Sequence, residues 1–275
     1  MPIYQQPRST LISIFNIWQK STTAPIPEPK QENKGIQRMA SIKLVTFDLD
    51  NTLWNVDKVI VRAETKMRNW MKEYAPESLA FYSSDHLAEI RHRILIKHPA
   101  KRFDLSFMRL AILQKVMSLG GLDEKTAKQK ADEAFEVFFE ARNQVDFFSG
   151  AIGLLEELQD KYLLYALTNG NADIEKTGLS AYMKGAFSAA DVAASKPSPK
   201  MFNRVLKQTQ LKPENSVHVG DNLVDDIEGA ANAGFFSIWV NLKSEKAHDD
   251  QAMPTQTVTK LSEIPAALDF INNHC

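Results

Sequence analysis

The sequence holds a single cysteine in 275 residues, and it is the last one, Cys275. An intramolecular disulfide is therefore excluded, and a cysteine metal cluster or a thiol nucleophile cannot be the core chemistry. One cysteine also fits a reducing compartment, so the chain is expected to be cytoplasmic. Net charge is equally scarce: 33 Lys and Arg stand against 34 Asp and Glu, for a formal charge of −1. No bulk basicity points to nucleic acid or to an anionic membrane surface. No uninterrupted apolar run approaches the roughly 20 residues of a membrane span. What the chain does have is a hydrophobic fraction of 44%, enough for one large domain or two moderate ones.

The stretch Lys43 to Trp54, KLVTFDLDNTLW, organises the rest. Leu44, Val45 and Phe47 are apolar, and the β-branched Val45 and Thr46 suit a pleated surface, so the stretch begins as a strand. It stops abruptly in two carboxylates, Asp48 and Asp50, followed by Thr52. A period of two puts both carboxylates on the same side of the strand end, where they repel unless a cation sits between them. Two uses fit: a hard metal ion bound by oxygen, or a nucleophile beside an acid/base. The plainer alternative is a solvated turn, but an apolar strand running straight into D-x-D-x-T is far less common than a polar turn.

Residues 1–40 read as an N-terminal extension. Leu11 to Trp18 is a short apolar patch, and Ser21 to Gln37 is too poor in apolar residues to order itself. Met39, directly before the first strand, is a candidate initiator. After Trp54 the pattern turns helical over Val56–Tyr74, Asp85–Lys97, Arg102–Leu119 and Glu124–Arg142, with apolar residues at 3- and 4-residue spacings. Residues 56–146 are expected to form a helical cap domain, inserted into an α/β core of residues 41–55 and 147–275. From Gly150 the rhythm is strand, loop, helix. A helix over Ala151–Lys161 leads to a strand, Tyr162–Leu167, ending in Thr168-Asn169-Gly170. Ser198 is placed to cap a helix that begins at Pro199. A strand over Ser216–Val219 ends in Gly220-Asp221, with a helix running to Gly234; a last strand, Phe235–Val240, precedes a closing helix, Leu261–Ile271. The expected fold class is α/β, a Rossmann-like parallel sheet with helices on both faces. Ligands of such sheets sit at the carboxyl ends of the strands, which is where Asp48, Thr168 and Asp221 all fall.

Four signals in this order resemble the haloacid dehalogenase-like hydrolase superfamily, specifically its phosphatase branch with a C1-type cap. They are Asp48, Asp50 and Thr52 at the first strand end; Thr168-Asn169 at the second; Lys196 in SKPSP; and Asp221 in VGDNLVDDIEGA. The resemblance implies Asp48 as nucleophile and Asp50 as general acid/base. It implies Mg2+ held by Asp48, the backbone carbonyl of Asp50 and Asp221. Phosphoryl oxygens would meet Thr168, the backbone at Asn169, and Lys196, with Thr52 and Asp226 in support. Of the neighbouring acids Asp225 and Asp226, relatives favour Asp226. An acid at position 50 separates this branch from dehalogenases, which lack it, and from ion-pumping ATPases, which carry Thr there. A C1-type cap implies a small-molecule phosphate as partner, with no nucleic acid and no membrane; the chain would be a monomer or homodimer.

Trp54, Asn55 and the string Thr168 to Ala172 resemble the riboflavin-pathway phosphatases of that superfamily, which act on flavin mononucleotide (FMN) or 5-amino-6-(5-phospho-D-ribitylamino)uracil. Phosphoglycolate or a sugar phosphate is the alternative substrate, and a β-phosphoglucomutase-like enzyme or a non-catalytic binding protein the alternative activity. Trp54 either touches substrate or packs under the cap, and Asn171 either meets substrate or holds a turn. His86, His92 and His98, six residues apart, do not share a helix face and are expected at the surface.

Overall fold

Strand β1 (Leu44–Phe47) is buried along its whole length, as a strand covered on both faces must be. In the computed structural model, which describes residues 41–244 and 252–275, it lies at the centre of a six-stranded sheet. The order is β3-β2-β1-β4-β5-β6, with every neighbouring pair parallel. The others are β2 (Leu163–Thr168), β3 (Ala186–Ser188), β4 (Ser216–Gly220), β5 (Phe236–Val240) and β6 (Gln256–Val258). The expectations for residues 1–40, Met39 included, lie outside the described residues.

Alternation along β1 divides the core in two. Val45 and Phe47 face a cluster that includes Leu155, Leu158, Leu268 and Ile271. Leu44 faces a second cluster, with Met201, Phe202 and Val205. Period two carries that second face on through Thr46 to Asp48, so the nucleophile candidate emerges on the side where β4 and the SKPSP loop meet.

Residues 56–143 form helices α1 (Val56–Tyr74), α2 (Pro76–Leu79), α3 (Ser84–Lys97), α4 (Leu105–Leu119) and α5 (Glu124–Asn143). They bury Met67, Met71, Leu113, Met117 and Phe138 in a hydrophobic cluster of their own. Asn55 caps α1 by accepting from the amide of Lys58 at 3.0 Å, and Asp123 caps α5 through the amides of Lys125 and Thr126. Both caps satisfy amides that have no partner inside the helix. The remaining helices are α6 (Ala151–Gln159), α7 (Ala189–Val192), α8 (Lys200–Thr209), α9 (Gly229–Asn232) and α10 (Ile264–His274).

The expected helix from Arg102 starts three residues later, at Leu105, because Asp104 takes the cap position and accepts from the amide of Phe107. Helix α8 begins at Lys200 with Pro199 as its cap and no side-chain cap bond; Ser198 Oγ lies 3.5 Å from the Lys200 amide, too far to cap firmly. The helix expected after Asp221 is π-helical over Leu223–Glu228 before it continues as α9. Gly234, just past its end, takes a left-handed φ of +77°, which glycine adopts without a Cβ penalty.

Candidate active site

The expected residues converge at the carboxyl edge of β1, β2 and β4. Asp48, Asp50, Thr168, Asn169, Lys196, Asp221 and Asp226 all line one cleft of about 170 Å³. Asn51 turns the chain out of β1 in a left-handed conformation, with φ +62°, and its side chain accepts from the amide of Val56 at 3.1 Å. Asn is among the few residues that adopt this conformation readily.

Lys196 is buried at the floor of the cleft. Its Nζ donates to Asp48 Oδ1 at 2.8 Å, to the carbonyl of Leu167 at 2.7 Å and to Asp226 Oδ1 at 2.6 Å, so all three ammonium protons are placed. Asn169 fixes the lysine's backbone from both sides: its Oδ1 accepts from the Lys196 amide and its Nδ2 donates to the Lys196 carbonyl. Burial alone would lower the Lys196 pKa, but Asp226 and Asp48 outweigh it and hold the ammonium charged. Burial would likewise raise Asp226, yet Lys196 and the hydrogen bond from His218 keep it below the usual carboxylate range. Asp48 moves the other way. Burial, reinforced by Asp226 and Asp221, pushes its carboxyl well up against the pull of Lys196. Asp221 is raised to about 6, by burial and then by Asp226.

Those directions describe three carboxylates sharing one ammonium. Asp48, Asp221 and Asp226 each offer an oxygen, and the three oxygens lie within 4.8 Å of one another. Both Asp226 oxygens are taken by Lys196, His218 and the Asn222 amide, which leaves Asp48 and Asp221 as the carboxylates facing the cleft. An all-oxygen, negatively charged set suits a hard divalent cation, so the residues fit Mg2+. The Asp50 side chain lies outside this set.

Asp48 and Asp50, expected on the same side of the strand end, pair with different partners. Asp50 accepts from Arg142 Nη2 at 2.8 and 2.7 Å and from Trp54 Nε1 at 2.8 Å. The separation relieves their repulsion within the protein. Trp54 is fully buried and packs edge-on against Phe147. Thr168 Oγ1 accepts from the amide of Gly170 at 2.9 Å, which leaves its hydroxyl proton free to donate into the cleft. Thr52 reaches Asp48 and Asp221 at 3.4 and 3.3 Å. Asp225 sits beside Asn169 at 3.2 Å, whereas Asp226 contacts Lys196, which separates the roles of the two adjacent acids. His86, His92 and His98 are exposed.

Two residues were not singled out by the sequence. Arg142, the last basic residue of α5, is 1% exposed and ion-paired with Asp50; its signal was drowned by the other basic residues of the helical stretch. His218, inside β4, is buried between Thr46 and Asp226, with Nδ1 2.8 Å from Thr46 Oγ1 and Nε2 3.1 Å from Asp226 Oδ1. Burial lowers its pKa. A neutral ring that donates from Nε2 to Asp226 and accepts from Thr46 at Nδ1 satisfies both contacts. Its position at a strand centre reads as core packing in sequence alone.

Residues 42–234 match the family model described as haloacid dehalogenase-like hydrolase. The chain is 27% identical to the 5-amino-6-(5-phospho-D-ribitylamino)uracil phosphatase YigB of Escherichia coli (strain K12), covering 84% of this chain and 98% of that protein. It is 27% identical to the pyrimidine 5'-nucleotidase PynA of Streptococcus pneumoniae, covering 82% and 95%. A solved structure described as a 2-haloacid dehalogenase from Pseudomonas syringae pv. Tomato DC3000 superposes with a TM-score of 0.79 at 40% identity, covering 83% of this chain and 98% of that one.

Proposed function

The chain belongs to the haloacid dehalogenase-like hydrolase family, and from that premise we propose that it is a phosphatase that hydrolyses a small phosphate monoester through an aspartyl-phosphate. The observation that carries this reading is Asp50, an acid in the same cleft as Asp48 and held by Arg142 and Trp54. A halide leaves as a stable anion and needs no proton, whereas the alkoxide of a phosphate ester does. The acid therefore favours ester hydrolysis over the dehalogenation named for the structurally similar protein.

In this reading the Asp48 carboxylate attacks phosphorus, forming an O–P bond as the ester P–O bond breaks, and Asp50 gives its proton to the departing alkoxide. Asp50 then takes a proton from the water that attacks phosphorus, which restores Asp48 and releases inorganic phosphate. Thr168 donates to a phosphoryl oxygen, and Lys196 keeps positive charge against Asp48 as negative charge builds. Mg2+, held by Asp48, Asp221 and the backbone carbonyl of Asp50, would polarise the phosphoryl group when bound. Asp226 orients Lys196. The helices of residues 56–146 act as the cap and exclude water. The similarity to YigB, over nearly its whole length, supports 5-amino-6-(5-phospho-D-ribitylamino)uracil as substrate, and the resemblance carried by Trp54, Asn55 and residues 168–172 adds FMN.

Phosphate release from FMN, the pyrimidine precursor, phosphoglycolate and a sugar phosphate, with Mg2+, compares wild type with Asp48→Asn. We expect metal-dependent release, highest with the first two substrates and absent in the variant. Equal release by both proteins would reject Asp48 as nucleophile. Chloride release from 2-chloropropionate in place of phosphate release would make the protein a dehalogenase.

A further inference from the structure

A second cavity opens beside the catalytic cleft, among the helices. It has a volume of about 430 Å³, with Ile60, Leu105 and Phe138 among its apolar walls and Glu64, Tyr82 and Arg109 among its polar ones. That volume lies in the range of small-ligand sites, and a mainly apolar wall with a few convergent polar groups is their usual make-up. Two features join it to the cleft. Gly170 lines the cleft and its neighbour Asn171 lines the cavity, with Asn171 tied to Ser106 at the start of α4 by a 3.1 Å hydrogen bond. Phe138 and Arg142 are four residues apart on one face of α5, about 6 Å along its axis; the first walls the cavity and the second holds Asp50.

The polar groups are ordered. Arg109 Nη1 donates to Glu64 Oε1 and to the Tyr82 hydroxyl, and Tyr82 donates to Glu64 at 3.2 Å. The Arg109 guanidinium also stacks over the Phe138 ring, 3.6 Å from its centroid, so its direction is fixed. Arg109 and Glu64 keep 24% and 27% of their side chains exposed. The remaining nitrogens of Arg109 donate to no described residue, and the Glu64 carboxylate has lone pairs to spare. A ligand entering here meets donor and acceptor side by side on an apolar wall.

We propose that this cavity binds the leaving alcohol of the substrate and selects a planar cyclic imide, whose C=O, N–H and C=O edge reads as acceptor, donor, acceptor against Arg109 and Glu64. The inference rests on the phosphatase reading for its substrate and adds the head group and the residues that choose it. The imide N–H donates to Glu64, a flanking carbonyl accepts from Arg109, and the ring lies on the apolar wall. A small acid such as phosphoglycolate leaves the cavity unfilled. A cytosine ring presents acceptor, acceptor, donor, and sets its N3 lone pair against the Glu64 carboxylate.

Uridine 5'-monophosphate and cytidine 5'-monophosphate share the sugar and phosphate and differ at that edge. Their affinities for the Asp48→Asn protein are measured by titration calorimetry, and their turnover by wild type with Mg2+. We expect uridine monophosphate to bind at least about tenfold more tightly, since the cytosine edge would leave a buried polar group unpaired. Glu64→Gln in the same background should bring the two affinities within about threefold. Circular dichroism and a cooperative thermal transition of Glu64→Gln, compared with the Asp48→Asn parent, show that the variant folds. Equal affinities before the substitution, or equal losses for both nucleotides after it, overturn the imide assignment. A binding preference without phosphate release from any ester would support the cavity and reject the phosphatase reading.

Discussion

At the scale of single residues the site is a buried chain of charge: Thr46, His218, Asp226, Lys196 and Asp48 touch in sequence across β1, β4 and the SKPSP loop. A buried ion pair is costly to desolvate, and breaking it by removing one partner typically costs ~3–5 kcal/mol. Lys196→Met should therefore strand Asp48 and Asp226, lower the melting temperature by roughly 10 °C at about 2–4 °C per kcal/mol, and abolish phosphate release. Thermal denaturation at pH 7.5 checks the first effect. Gly220 belongs to the same chain, because a Cβ there would sit 2.3 Å from the Asp226 carboxylate. Gly220→Ala should displace that carboxylate and cut turnover at least about tenfold, through the kind of orienting contact whose loss costs 10–100-fold at metal sites. Asp48, Asp50 and Lys196 were legible in the sequence because the first two follow directly on the apolar strand β1 and the third stands in the SKPSP loop before α8, where a core residue has no reason to be charged. His218 was not, because a histidine in a buried strand looks the same whether it packs or orients a carboxylate.

At the scale of elements, α5 joins the helical cluster to the acid. Arg142 leaves its last turn to hold Asp50 on both oxygens, and a Cβ on Gly170 would fall 2.6 Å from Asp50 Oδ2 and 3.3 Å from Arg142 Nη2. Both bonds come from the single nitrogen Nη2, held in place by a planar, buried guanidinium that the flexible stem of a lysine ammonium does not reproduce. Arg142→Lys should consequently lower kcat by about 10- to 100-fold, within the 10²–10⁴-fold that a positioned acid/base supplies, while the KM for substrate changes less than about threefold. Steady-state kinetics on one good substrate separates the two; a pure KM effect would place Arg142 in binding instead. The elements themselves were read well where periodicity is long: α1 runs over Val56–Tyr74 as expected. Strands β3 and β6, of three residues each, carry too few alternations to stand out from loop. The π-helical turns after Asp221 have no sequence period that distinguishes them from an α-helix, yet they place Asp226 where its oxygens meet Lys196, His218 and the Asn222 amide.

At the scale of the whole molecule, the crowding of acids at one sheet edge should make stability depend on pH, and the proposed Mg2+ should be linked to that dependence. The Asp221 carboxyl rises from a usual 3.8 to about 6, through burial and then Asp226, and Asp48 is pushed up in the same direction. A folded state that holds these protons more tightly than the unfolded chain gains stability as pH falls from above 6 toward 4, and carries the full penalty above 6. Asp226 has the opposite sign, since its folded value lies below the usual range, but its contribution is lost only as pH drops below about 4. His218 also opposes the raised pair, because burial lowers its pKa and the unfolded chain takes up its proton as pH falls through about 6.5. Between pH 4 and 7 the two raised carboxyls outweigh this one imidazole. With metal removed by chelation, the melting temperature should fall as pH is raised from 5 to 7.5. Mg2+ at a hundredfold excess over its dissociation constant should restore about 2.7 kcal/mol at pH 7.5 and much less at pH 5, where protons occupy the same oxygens. Asp221→Asn removes one of the competing charges, so it should flatten the pH dependence of the metal-free protein and abolish most of the Mg2+ response. A flat wild-type profile, or an Asp221→Asn protein that still responds fully to Mg2+, would place the cation away from this carboxylate cluster.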